Sequence, residues 1–269
     1  ITGAGSGIGQ QTALAFAKLG ANLWLADLNE EGNQETASQI HASGGRASTF
    51  RCDVAEPESV EQLALAVHKE IEAVDVLINN AGIGASGRFL DTRLTSWKKV
   101  MDVNLMGVVH GCHYFLPNMV EVAKANKSRA GHVVNLSSLA GYVAPAEMSM
   151  YATSKFAVFG FSESLRSEMR EHGIGVSAIC PGIINTPIVA NTLVEGSLAE
   201  DKEAHEKVIE FYKKRNYTPA QVADRIVAAV KKNRAVQPIS PESWVMYYAK
   251  RFFPGVVGRL GGAAAPASN

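Results

Sequence analysis

The chain opens on Thr2-Gly3-Ala4-Gly5-Ser6-Gly7-Ile8-Gly9 and continues as Gln10-Gln11-Thr12-Ala13-Leu14-Ala15-Phe16-Ala17-Lys18-Leu19-Gly20. The second stretch carries apolar residues at helical spacing and stops at a glycine. A glycine loop that opens a helix can cradle a phosphate, because its amides point outward and no Cβ blocks the approach. The spacing is Gly-x-x-x-Gly-x-Gly, not the Gly-x-Gly-x-x-Gly of the commoner dinucleotide fingerprint. A tight turn is the other use of such a loop. A strand should feed it, and Ile1-Thr2 is too short to be one, so the natural protein is expected to continue upstream.

Asn22 to Ala26 reads as a short apolar strand ending at Asp27. A carboxylate there can accept hydrogen bonds from adenosine ribose hydroxyls and would repel a 2′-phosphate. Ser6 and its neighbours supply no Arg or Lys for that phosphate, so NAD is favoured over NADP. A turn or helix-capping aspartate is the plainer reading. Glu30 to Ala42 reads as a helix closed by Gly44-Gly45, and Ala47 to Cys52 as a strand followed by Asp53-Val54. Asp53 can meet an adenine amino group or cap a helix over Glu58 to Ile71. Val74 to Ile78 is a further strand, running into Asn79-Asn80-Ala81-Gly82, where small residues let a cofactor approach. Strands alternating with helices predict a parallel sheet with helices on both faces. Ligands in such sheets bind beyond the carboxyl ends of the strands.

The next helix is expected to start with Thr95 as N-cap and run past Trp97 and Met101 toward Leu116, with Pro117 near its end. Asn104 falls inside it among apolar residues, and a buried amide needs a partner. His132 to Leu136 reads as a buried strand with Ser137-Ser138 at its tip. Gly141 to Met150 would form a wall made apolar by Val143, Ala144, Met148 and Met150. Tyr151 and Lys155 lie one helical turn apart. An ammonium beside a phenol should pull its pKa down from about 10 toward neutrality, and such a phenol can exchange a proton with an alcohol oxygen. Most Tyr-x-x-x-Lys pairs are solvated helix faces. This helix should run to His172 and end at Gly173, before a strand over Val176 to Cys180 and the segment Pro181-Gly182-Ile183-Ile184-Asn185-Thr186.

Thr2-Gly3-x-x-x-Gly7-x-Gly9, Asn79-Asn80-Ala81-Gly82, Asn104, Ser138, Tyr151-x-x-x-Lys155 and Pro181-Gly182 follow one another here in a fixed order. That ordered set resembles the short-chain dehydrogenase/reductase family over roughly residues 1–190. The resemblance implies a single α/β domain spanning residues 1–269, with a Rossmann-type doubly wound parallel sheet and helices on both faces. It implies a nicotinamide cofactor and interconversion of alcohol and carbonyl. Tyr151 would be the acid/base and Lys155 would also bond the nicotinamide ribose. Ser138 would orient the substrate oxygen, with Ser137 as the neighbouring alternative. Asn104 would hold a water contacting Lys155. The implied cofactor contacts are Gly3, Ser6, Gly7, Ile8, Asp27, Asp53, Val54, Asn80, Ala81, Gly82, Tyr151, Lys155, Pro181, Gly182, Ile184 and Thr186. A homodimer or homotetramer, built on helix pairs and the C-terminal region, is implied as well.

Residues 187–217 correspond to the family's substrate loop, where Ile188, Val189, Leu193, Val194 and Leu198 would give an apolar lid. Lys202 to Arg215 reads as a charged helix, and Thr218-Pro219 as the N-cap and first residue of another. The extension 241–260 is aromatic and basic, with Trp244, Tyr247, Tyr248, Arg251, Phe252 and Phe253. It can pack on its own cleft or a partner subunit, touch a membrane surface, or be core. Residues 261–269 read as a disordered tail. The arrangement also resembles bacterial members in which a reductase domain follows a hydrolase domain.

Lys+Arg and Asp+Glu are 26 each, which gives no electrostatic case for nucleic acid. No apolar run reaches the roughly 20 residues of a membrane span. Cys52, Cys112 and Cys180 lack metal-ligand spacing and read as reduced thiols of a cytoplasmic protein. No metal site is expected. The expected function is NAD(H)-dependent interconversion of a hydrophobic secondary alcohol and its ketone. An NADPH-dependent 3-oxoacyl-type reductase, against which Asp27 counts, and a non-catalytic nucleotide-sensing protein are the other readings.

Overall fold

Ile1 and Thr2 join two parallel ladders into one sheet. In this computed structural model, which describes residues 1–129, 131–215 and 217–257, the chain runs α1 (Gly7–Ala17), β1 (Asn22–Asp27), α2 (Glu30–Ala42), β2 (Arg46–Arg51), α3 (Pro57–Glu70), β3 (Val76–Asn79) and β4 (Ala85–Ser86). It continues as α4 (Leu94–Met101), α5 (Gly107–Ala125), β5 (His132–Leu136), α6 (Ser149–Met169), β6 (Gly175–Pro181), α7 (Pro187–Ala190) and β7 (Leu193–Val194). Last come α8 (Ser197–Glu200), α9 (Lys202–Arg215), α10 (Pro219–Lys231), β8 (Val236–Ile239) and α11 (Pro241–Phe252). The tail expected over 261–269 lies outside the described residues.

β1 pairs with β2, and β3, β5, β6 and β8 pair in that order, all parallel. Between the two ladders, the Thr2 amide donates to the Ile78 carbonyl at 3.0 Å and the Ala26 amide to the Ile1 carbonyl at 2.9 Å. The chain winds outward in both directions from Ile1–Thr2, which makes this the switch point where such sheets bind ligands. Every residue of β5 and β6 is buried, as a central parallel strand covered on both faces requires. Leu63, Val67, Phe115, Met119 and Val158 pack one face from α3, α5 and α6. Ala13, Ile40, Val222 and Ile226 pack the other from α1, α2 and α10.

Three local expectations change. The long helix starts at Leu94 with Arg93 as N-cap, not with Thr95. The buried Glu195 carboxylate, just after β7, accepts the Arg93 amide at 2.9 Å and the Ser96 hydroxyl at 2.6 Å. A cap supplied from 102 residues away is invisible to a local reading. The helix is also interrupted: residues Asp102–Met106 form a π-turn between α4 and α5. Pro117 lies inside α5, which runs on to Ala125. Other boundaries hold more closely. Thr218 closes a capping box with Gln221, and Gly173 takes a left-handed φ of 72° after the last turn that follows α6.

Candidate active site

A cleft of about 1440 Å³ opens at the carboxyl ends of the strands and takes in nearly every residue singled out above. Its floor begins with the glycine loop. The Thr2 hydroxyl accepts the Asn80 and Ala81 amides at 3.0 and 3.2 Å, and the Asn80 side chain donates to the Thr2 and Gly3 carbonyls at 2.9 and 3.0 Å. The glycine loop and the β3 tip are therefore one rigid unit. A Cβ at Gly9 would overlap the Gly3 carbonyl oxygen. Gly7, with φ of 54°, faces Thr186 and Pro187 across the cleft. Ser6 is the N-cap of α1 but makes no side-chain capping bond, and the first turn holds no acid. The first amides of a helix have no partner within it, so those of α1 are left for an anion.

Asp27 holds a turn and faces the cleft. Its carboxylate accepts the Gly5 amide and the Asn29 amide, each at 2.8 Å, and the side chain still lines the cleft. Leu28, Cys52, Asp53, Val54, Ala55 and Glu56 line the cleft as well, and none of these is a cation. Asp53 does not cap α3. Its carboxylate accepts the Ala55 amide at 3.0 Å in a local turn, while Glu56 and Pro57 begin the helix.

Asn104 stands behind the cleft wall, fully buried in the π-turn. The wider turn aims its amide at the β3 tip. Its Oδ1 accepts the Ile83 amide at 2.8 Å, and its Nδ2 donates to the Ile83 carbonyl at 3.0 Å and to the Ser154 hydroxyl at 3.1 Å. A side chain on Gly82 would come within 3.1 Å of Asn104 Oδ1 and 3.4 Å of Lys155 Nζ, so the three residues meet.

Lys155 is buried, and its Nζ donates to the Leu136 carbonyl at 2.9 Å. Ser137 and Ser138 separate cleanly. The Ser137 hydroxyl donates to the Lys155 carbonyl at 2.9 Å and serves the helix. The Ser138 hydroxyl accepts the Ala140 amide at 3.1 Å and lies against the Tyr151 phenol. The expected fall in the phenol pKa does not occur in this arrangement. Burial pushes Tyr151 up to about 12, only partly offset by the hydrogen bond with Ser138. Burial likewise brings Lys155 down to about 8. Lys155 Nζ lies 5.7 Å from the Tyr151 ring centroid, and its hydrogen bond goes to the backbone.

Pro181, Gly182, Ile184 and Thr186 form the opposite wall, and the Thr186 hydroxyl caps nothing in α7. Of the wall expected over 141–150, Met148 lines the cleft beside Pro145, Ala146 and Glu147. Met150 instead turns into a small core with Ala85 and Val100, and Val143 and Ala144 are absent from the lining. Of the residues expected to give an apolar lid, Ile188, Val189, Val194 and Leu198 line the cleft, while Leu193 packs beside Tyr151 and Trp97. β4 and β7 pair over two residues and tie this segment to the stretch that follows β3.

Two lining residues carried no signal in the sequence. Tyr212 reaches the cleft from α9, and Glu147 holds a φ of 66° there. A single aromatic in a charged helix and a glutamate in a loop look ordinary. The uncapped α1 terminus, the open face at Gly7 and the Asp27 carboxylate at the cleft fit a dinucleotide.

Comparison with known proteins agrees with that geometry. The chain is 42% identical over 257 residues to "Probable oxidoreductase EphD" of Mycobacterium tuberculosis, a match covering 94% of this chain and 43% of EphD. It therefore spans less than half the length of that relative. It is 38% identical over 218 residues to epidermal retinol dehydrogenase 2 of Homo sapiens, covering 78% of this chain and 69% of the relative. A short chain dehydrogenase/reductase from Burkholderia phymatum, solved in complex with NAD, superposes with a TM-score of 0.84 at 29% identity, covering 100% of this chain and 96% of that one. A sequence model described as short chain dehydrogenase matches residues 1–195. The chain belongs to the short-chain dehydrogenase/reductase family of oxidoreductases.

Proposed function

We propose that the chain interconverts a hydrophobic secondary alcohol and its ketone with NAD(H), using Tyr151 as proton donor and acceptor. The observation that carries this reading is the meeting of Ser138, Tyr151 and Lys155 in one cleft with the α1 terminus and Asp27. A bound nicotinamide dinucleotide would supply the hydride donor or acceptor. The Gly7 and Ile8 amides would hold its pyrophosphate, Asp27 its adenosine ribose, and Lys155 Nζ its nicotinamide ribose. NAD is preferred because a 2′-phosphate would meet the Asp27 carboxylate, while Arg51, the register partner of Asp27 on β2, is paired with Glu30.

The Ser138 hydroxyl orients the substrate oxygen toward Tyr151. In reduction the Tyr151 Oη gives its proton to the carbonyl oxygen. In oxidation the same oxygen must first lose its proton and then take that of the alcohol. Asn104 keeps the β3 tip and α6 in register, so that Lys155 stays beside the phenol. The lid of Ile188, Val189, Val194 and Leu198 suits an apolar substrate body, and the likeness to a retinol dehydrogenase points the same way.

A homodimer or homotetramer is part of the proposal. An apolar groove of about 1030 Å³ between α5 and α6, walled by Leu116, Val120, Phe161 and Met169, is where helix pairs would meet. A cytoplasmic location is proposed too; among the described residues no helix is long and apolar enough to cross a membrane.

The test is a panel of steroid-like, terpenoid and long acyl secondary alcohols and ketones, assayed with NAD(H) and NADP(H) by nicotinamide absorbance. Turnover with NAD, and weaker turnover with NADP, is the expected result. NAD binding without turnover of any panel member would favour a nucleotide-sensing protein instead.

A further inference from the structure

The first turn of α11 is fastened to both walls of the cleft. The Ser243 hydroxyl donates to the Cys180 carbonyl at 2.7 Å, at the end of β6. The Tyr142 hydroxyl donates to the Ser243 carbonyl at 2.8 Å, just past the turn that follows Ser138. The Gly182 amide donates to the Ile239 carbonyl at 3.1 Å. Glu242 projects from this fixed platform, with its side chain 18% exposed. Its Oε1 accepts the Ile183 amide at 3.0 Å, in the middle of the 181–186 wall. A Cβ on Gly182 would fall 2.6 Å from that oxygen, so only glycine lets the carboxylate come so close. Its Oε2 pairs with Arg215, the last residue of α9.

The same carboxylate thus holds the wall and the lid helix. Among the described residues, the other ion pairs of α9 are internal to it: Glu203 with Lys207 and Glu210 with Lys214. Tyr212, one helical turn before Arg215, is the α9 aromatic that lines the cleft. Burial opposes a charge on Glu242, but the hydrogen bonds it accepts, among them those from the Ile183 amide and Arg215, outweigh it and keep the carboxyl below its ordinary range.

The geometry points to Glu242 as a positioning residue that links closure of the α9 lid to the setting of the 181–186 wall. This rests on the reading of 181–186 as a cofactor wall. When Arg215 engages Glu242, α9 lies down and Tyr212 enters the cleft; the carboxylate then holds Ile183, and with it Ile184, in place. When Arg215 leaves, the lid helix is freed and the wall keeps a single tie to Glu242.

Three variants separate the two halves of the link. Glu242→Gln keeps an acceptor for the Ile183 amide and removes the charge opposite Arg215. Arg215→Ala removes the lid half alone, and Glu242→Ala removes both halves. Arg215→Ala and Glu242→Gln should each raise KM for the alcohol, with kcat nearly constant, by about three- to tenfold for a half-exposed pair. The double variant should be no worse than either single one. Glu242→Ala should in addition weaken NAD binding, measured by titration without substrate. Limited proteolysis should cut within 187–215 faster in Arg215→Ala than in the parent at equal thermal stability.

The proteolysis and NAD titration need no turnover, so they stand even if no panel alcohol reacts. Unchanged cleavage, or KM effects that multiply in the double variant, would overturn the link while leaving the proposed reaction untouched.

Discussion

Lys155 Nζ lies 5.7 Å from the Tyr151 ring centroid and gives its hydrogen bond to the Leu136 carbonyl, 2.9 Å away. The amine is held by the end of β5, and the phenol gains less from it than sequence spacing suggests. Burial sets the Tyr151 phenol at about 12 and the Lys155 amine at about 8. kcat/KM reports groups of the free enzyme, so oxidation, which starts from the phenolate, should rise about tenfold per pH unit above neutrality. Reduction starts from the phenol and should stay level over that range, apart from a step near 8 where Lys155 loses its charge. Profiles in both directions check this. An oxidation plateau that begins near pH 7 would mean the free enzyme already holds a phenolate.

Asp27 bonds two backbone amides as well as facing the cleft. Asp27→Asn keeps an acceptor for the turn and removes the charge. The preference for NAD over NADP should shrink by about tenfold or more, as expected when one repulsive charge is lost. Dissociation constants for both cofactors, from fluorescence titration, measure it. An unchanged ratio would move the discrimination elsewhere.

Asn104 satisfies both backbone groups of Ile83 and the Ser154 hydroxyl from a fully buried position. Asn104→Ala orphans them, at a cost of about 2–4 kcal/mol in urea unfolding. A change below about 0.5 kcal/mol would show that water replaces the amide without loss.

His132 is buried and bonded through Nε2 to the Ser177 hydroxyl at 2.8 Å. Burial and then Arg166 bring its pKa down to about 4 from 6.5. The unfolded chain therefore binds the extra proton first, and stability falls as pH drops from about 6.5 toward 4. The loss should reach about 3 kcal/mol. Urea midpoints across that window, with His132→Gln for comparison, measure it. The Gln variant should show the flatter profile, and equal slopes would remove His132 as the source.

The fold was legible because its signals are local. The glycine loop, the strands around Asp27 and Val133, and the Thr218 capping box each follow from neighbouring residues. The candidate site was legible for a different reason: its residues sit at strand tips and on one helix turn, where motif order tracks position. What stayed hidden depends on partners far along the chain. Glu195 caps α4 from beyond β7, and Glu242 reaches back to Ile183. The π-turn around Asn104 and the inward turn of Met150 are likewise set by packing rather than by their own neighbours. For the phenol, spacing gives proximity to an amine but not the burial that opposes ionisation.

The most direct test of the central claim is single-turnover oxidation of a hydrophobic secondary alcohol by NAD-loaded Tyr151→Phe, alongside its NAD dissociation constant. The expected result is turnover lowered by about a hundredfold or more, the range for a lost general acid/base, and a far smaller change in the dissociation constant. Turnover at the parent rate in Tyr151→Phe would contradict the account.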